Sequence, residues 1–154
     1  MKTKMYRLFL ALALLLLPAL GFAQAAAELD GVLGADTVSA AAAARFVLGA
    51  AGLLPEGLTG TEAENAAWET ASSKGWIKTA ADDPVTLKEA AFLVMNAFEL
   101  RGGVMYSLLP GPRYAYREML YRKIIHGDPD TKVSGPALLL ILDRTQRYTD
   151  GGAQ

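Results

Sequence analysis

Residues 85–98 read VTLKEAAFLVMNAF, a valine and a hydroxyl residue followed by an apolar run with helical spacing. The same opening occurs twice more. Val38-Ser39 precedes AAAAARFVLGAAGLL and Val133-Ser134 precedes GPALLLILDRTQRY, so the openings begin at positions 38, 85 and 133, almost evenly spaced. A near-constant spacing of this size is the mark of stacked supersecondary units that share one core. In each copy the apolar residues recur at three- and four-residue steps, the period of an α-helix with one buried side.

Working outward, five helices are predicted. The first runs from Thr37 or Ser39 to Ala51, with Ala40, Ala43, Ala44, Val47 and Ala51 inward, and Gly52 stops it. The second starts at Thr61, where Thr61-x-x-Glu64 has the form of a capping box, and ends near Gly75. The third starts at Thr86 with a second capping box, Thr86-x-x-Glu89, and closes at Arg101-Gly102-Gly103. Because it is apolar nearly all round, it belongs at the centre of the core. Residues 102–113, with three glycines and two prolines, read as a loop. The fourth helix spans Arg113 to Ile125. The fifth starts at Ser134, with Pro136 in a first turn that needs no amide from it. No segment alternates as a strand does. The fold class is all-α, and laying residues 67–94 over 115–142 without a gap gives about two and a half helix-loop-helix repeats: a half repeat at 37–54, a repeat at 61–101 and a repeat at 113–147.

The ends of the chain carry other signals. Lys2, Lys4 and Arg7 precede the apolar stretch Leu8–Leu17, Pro18 interrupts it, and small residues follow. That order is a secretory signal, with cleavage after Ala23 or Ala25. The run is shorter than the ~20 apolar residues that span a bilayer. Residues 24–36 read as a flexible lead-in and 148–154 as a fraying tail. Cleavage after Ala23 leaves positions 24–154, a length that suits one domain. The chain has 15 Lys and Arg against 16 Asp and Glu; loss of three basic residues with the signal leaves a net charge of −4. Such a balance argues against nucleic acid as a partner, and against an anionic membrane surface or stable insertion. There is no cysteine, which excludes disulfides, thiol catalysis and a lipidated N-terminal cysteine.

Residues 114–130 (YAYREMLYRKIIHGDPD), together with 85–98, resemble the S-layer homology module. That module pairs an aromatic-bearing helix and a Gly-Asp-rich loop with a second helix entered by an Ile-Thr-Arg-Ala-Glu motif. Here Ile124-Ile125-His126-Gly127-Asp128-Pro129-Asp130 resembles the loop, and Val85-Thr86-Leu87-Lys88-Glu89-Ala90 the entry, with leucine in place of the motif arginine. The likeness spans residues 37–147 at motif level. It implies an exported, non-catalytic module of the periplasm or cell surface that holds peptidoglycan or wall-linked polysaccharide. The family's arginine and acidic entry positions touch the polymer, which points to Thr86 and Glu89, with Lys88 as a substitute cation. Sugar rings stack on aromatic faces, so Trp76 and Tyr116 join them as candidate ligand contacts.

Other chemistry is poorly represented. His126 is the lone histidine, beside Asp128 and Asp130 in a turn, too few ligands for a structural metal site. No nucleophile motif or phosphate-binding loop is present, and no catalytic residue, metal or cofactor is expected. The alternative is a periplasmic protein–protein adaptor on the same fold; a small envelope hydrolase ranks below both.

Overall fold

The computed structural model describes residues 26–55 and 57–151. The secretory signal lies on residues outside these. Residues 26–33 belong to a unit of their own and are helical, where the sequence reading expects a lead-in. The Ala-Glu-Leu stretch there is rich in good helix formers, and one glycine does not prevent the turn from forming.

The second unit, Gly34–Gln154, contains helices α1 (Ala40–Ala50), α2 (Gly60–Ser73), α3 (Leu87–Ala97), α4 (Val104–Leu108), α5 (Pro112–Tyr121) and α6 (Gly135–Gly151). Among the described residues there is no strand, and the all-α expectation holds. Helices α1, α3 and α6 meet one another, α2 lies along α1 and α5 along α3. Each outer helix therefore packs mainly on the entry helix before it in sequence. The expected units 61–101 and 113–147 instead couple each outer helix to the entry helix after it.

The three Val-hydroxyl openings converge. Val38 donates its amide to the Val133 carbonyl (2.8 Å), Val85 to Val38 (3.0 Å) and Val133 to Val85 (3.0 Å), closing a cycle of backbone hydrogen bonds. All three side chains are buried. Two residues further on, the amides of Ala40, Leu87 and Gly135 donate to the carbonyls of Asp83, Thr131 and Ala35. A helix leaves its first amides without intrahelical partners, and here the loops before neighbouring helices supply acceptors. The hydroxyl completes the cap in two copies: Ser39 Oγ accepts from the Ala42 amide (3.2 Å) and Ser134 Oγ from Ala137 (3.4 Å).

Small residues set the spacing. Ala40, Ala43 and Ala44 on α1 and Ala63, Ala67 and Ala71 on α2 are fully buried, so these backbones approach closely. The bulk comes from α3 (Leu93, Val94, Met95) and from Met119 and Leu138. Each fully buried Leu or Met contributes roughly 1.5–3 kcal/mol of hydrophobic stabilisation. Among the described residues Thr145 is the buried polar one, and its hydroxyl donates to the Ile141 carbonyl (2.8 Å).

Several expected boundaries move. Thr59, in extended backbone, is the N-cap of α2, which places Thr61 already inside the first turn; the Thr61-x-x-Glu64 box does not open the helix. Helix α3 stops at Ala97, short of Arg101, and α5 at Tyr121, short of Ile125. Both are ended by a residue in the left-handed region, Glu99 (φ 51°) and Lys123 (φ 59°). The following residue's amide then reaches back to the helix, Leu100 to Met95 (2.8 Å) and Ile124 to Met119 (3.0 Å). Gly52 and Gly75 end α1 and α2 in the same way, with Leu53 bonding Leu48 and Trp76 bonding Ala71. This is the Schellman closure, which usually places glycine at the left-handed position. Residues 104–108, read as loop, form the short helix α4. The end of the chain also departs from expectation, since α6 remains helical through Tyr148 to Gly151.

Candidate functional site

The first turn of α3 sends neighbouring side chains to different duties. Glu89 turns back onto the fold. Its Oε2 accepts the Thr86 amide (2.8 Å) and the Thr86 hydroxyl (2.5 Å), and its Oε1 accepts the Thr79 hydroxyl (2.5 Å). Thr86 and Glu89 thus form the expected capping box, extended by Thr79 from the preceding loop. Burial opposes the Glu89 charge, but the hydrogen bonds from Thr79 and Thr86, with Lys132 nearby, outweigh it. The carboxyl is held below its ordinary pKa. With three donors already on its oxygens, the group acts as a brace between loop and helix.

Lys88 points outward. Its ammonium pairs with Asp130 in the turn between α5 and α6, and this hydrogen bond raises the Lys88 pKa. The turn is shaped by Asp128, whose Oδ1 accepts the Asp130 amide (2.9 Å), and it is held to α3 by the Lys88 amide donating to the Pro129 carbonyl (3.0 Å). The sequence suggested a metal only weakly at His126, Asp128 and Asp130; among the described residues, no three His, Asp or Glu side chains gather to hold an ion.

Lys88, Arg113, Tyr116, Arg117, Pro129 and Asp130 line a groove of about 320 Å³. Arg113, Tyr116 and Arg117 stand at i, i+3 and i+4 on α5, on one side of that helix. The Tyr116 hydroxyl donates to the Gly127 carbonyl (2.5 Å), which fixes its half-buried ring beside the turn. Arg113 and Arg117 are exposed, and neither guanidinium has a hydrogen bond or ion pair among the described residues. Two like charges one helical turn apart destabilise a helix by about 0.2–0.5 kcal/mol; a bound anion relieves that repulsion. The groove carries three cations against one carboxylate.

The five sequence-derived residues therefore separate. Lys88 and Tyr116 come together in the groove. Thr86 and Glu89 lie next to Lys88 in sequence, yet their polar groups serve the helix entry. Trp76 lies outside the groove's lining; its ring packs against the core with the Lys74 ammonium over it at 4.9 Å. Arg113 and Arg117 were missed from sequence, although their four-residue spacing around Tyr116 was a readable signal. Their absence from the repeat consensus hid them.

The helix ends offer no competing anion site on α1 or α3. Amides at their first turns are taken by the Asp83, Ala81, Thr131 and Pro129 carbonyls. Among the described residues no helix is long and apolar enough to cross a membrane. No protein-family model, curated protein or solved structure matches this chain.

Proposed function

We propose that the protein is an exported, non-catalytic module of the bacterial cell envelope that binds peptidoglycan or a wall-linked polysaccharide. The observation that carries this reading is the groove that Lys88, Arg113 and Arg117 line together with Tyr116. Envelope polymers combine sugar rings with carboxylate or phosphate groups. A tyrosine face suits the first, and guanidinium forks suit the second. Asp130 holds Lys88 in position at the groove wall and supplies an acceptor for sugar hydroxyls.

Two further points support it. The amino-terminal residues have the order of a secretory signal, which directs the chain to the envelope. The cyclic hydrogen bonding of Val38, Val85 and Val133 suits a domain built from repeated entries, as the resemblance to the S-layer homology module suggests. On this reading the polymer contact has moved off the entry glutamate and onto Lys88 and the outward side of α5.

Co-sedimentation with purified peptidoglycan at low salt tests the proposal. The wild-type protein is expected to pellet, and Arg113→Ala with Arg117→Ala to reduce the bound fraction at least tenfold while the thermal midpoint stays unchanged. Failure of the wild-type protein to pellet overturns the binding reading. Pelleting that survives the double substitution overturns the groove as the site.

A further inference from the structure

The outward side of α5 continues past the groove. Arg113, Arg117 and Tyr121 stand at successive four-residue steps, each about 6 Å further along the helix than the last. Leu120 lies beside them, three residues after Arg117. All four side chains are exposed. At 86% exposure, Tyr121 is the barest large hydrophobic side chain among the described residues. The core does not call for it, because α5 buries Ala115 and Met119 instead. Tyr116, held by its bond to the Gly127 carbonyl, borders the same stripe from the groove. At 3.6 residues per turn, Tyr116 and Tyr121 fall on opposite flanks of the arginine pair.

The charges on this side show what it accepts. Between Leu100 and Gly127 the chain contains one acidic residue, Glu118. Its carboxylate is engaged away from the stripe: Oε1 lies 2.7 Å from where a Gly103 Cβ would stand, and Oε2 lies 3.9 Å from the Arg122 guanidinium. Glu99 lines a different cleft, with Arg101, Arg122 and Tyr148. In the groove, Asp130 is paired with Lys88, and Asp128 accepts the Asp130 amide. The stripe itself therefore offers guanidiniums and aromatic rings and no carboxylate. That set suits sugar rings that carry acidic groups. The amino groups of a cell-wall peptide find no partner on it.

Resting on the polymer-binding reading above, we infer that α5 binds the glycan strand itself, across several linked sugars. Tyr116 and Tyr121 each stack on a sugar ring, and Arg113 and Arg117 between them take the carboxylates of acidic sugars. The two tyrosines are about 7.5 Å apart along the helix axis and on different flanks, so one ring cannot lie on both. Affinity consequently rises with strand length, and Tyr121 sets that preference.

Competition against peptidoglycan pelleting tests it, with the processed protein recovered after export from an expressing bacterium. The competitors are the disaccharide, tetrasaccharide and hexasaccharide of alternating N-acetylglucosamine and N-acetylmuramic acid, free of peptide. The tetrasaccharide is expected to compete at least tenfold better than the disaccharide with the wild-type protein, the scale of one added aromatic contact. Tyr121→Ala should abolish that preference while disaccharide competition and the thermal midpoint stay unchanged. Tyr121→Phe, which keeps the ring, should retain it. Equal competition by all three lengths, or a preference that survives Tyr121→Ala, overturns the inference while the groove still stands on its own test. A peptide-bearing tetrasaccharide that competes better than the bare one overturns the glycan as the ligand. So does a dimer in sedimentation equilibrium that Tyr121→Ala dissociates, because a second copy then covers the ring. Failure of the wild-type protein to pellet at all overturns this inference and the binding reading together.

Discussion

The entry of α3 and the outward side of α5 use similar residues in opposite ways. At the entry, every conspicuous polar group has a partner within the fold: Glu89 with Thr79 and Thr86, the first amides with loop carbonyls. On the outward side of α5, Arg113, Arg117, Leu120 and Tyr121 are left to solvent, cations and apolar groups alike. Glu89 and Lys88 mark the border, adjacent in sequence and divided in role. Internal satisfaction identifies residues that hold the structure together. Groups ordered by their surroundings yet left unsatisfied identify the surfaces that meet something else.

The sharpest way to break that contrast is Val85→Asp. Val85 is fully buried and its backbone takes part in the valine cycle. A carboxylate there has no partner, and uncompensated burial of a charge costs several kcal/mol. Loss of the folded state by circular dichroism is expected. A folded variant with a near-native thermal midpoint would show that the Val85 side chain is not needed to hold the core.

Glu89→Ala should have the next largest effect. Removing a charged acceptor shared by three donors destabilises by about 1–3 kcal/mol. The loss has a pH signature. Because the folded-state pKa of Glu89 is lowered, its contribution is complete above the unfolded value of about 4.3 and fades as pH falls through the folded value. Denaturant titrations of the two proteins should therefore differ most near neutrality and draw together in acid, as the pH falls through the lowered folded-state pKa. Peptidoglycan pelleting, corrected for the unfolded fraction, should be unchanged. A binding defect in fully folded Glu89→Ala protein would return the polymer contact to the helix entry.

The sequence made the helix entries readable and left much of the exits hidden, for a local reason in one case and a non-local reason in the other. A cap such as Thr86-x-x-Glu89 is a local device whose residues are few and distinctive, so its position was legible. The same device failed at Thr61 because the helix already starts at Gly60, with Thr59 as an N-cap residue whose side chain makes no capping hydrogen bond, so the Thr-x-x-Glu pattern falls inside the first turn. That three evenly spaced valines would bond in a cycle is a tertiary fact that spacing suggests but does not contain. The groove was half legible: Lys88 and Tyr116 carried a motif resemblance, whereas the spacing of Arg113 and Arg117 beside Tyr116 was readable but became a groove wall once the Pro129 turn was laid beside α5. The loop at 102–113 was read from its glycines and prolines, which describe the backbone and do not say that Val104 and Leu108 face solvent.

The exits supply the smallest effect and the finest test. Among the described residues, four helices close through a left-handed residue, two with glycine (Gly52, Gly75) and two without (Glu99, Lys123). A side chain in that region costs about 1–2 kcal/mol, while glycine's extra freedom in the unfolded chain takes back about 0.5–1 kcal/mol. Lys123→Gly should therefore stabilise the protein by about 0.5–1 kcal/mol, seen as a higher denaturant midpoint with an unchanged slope. Lys123 lies outside the groove lining, so pelleting should not respond. A destabilised Lys123→Gly protein would mean that the lysine side chain holds the α5 exit by contacts that outweigh its backbone strain, and the exits would then belong with the satisfied, structure-holding half of the molecule rather than with its strained edge.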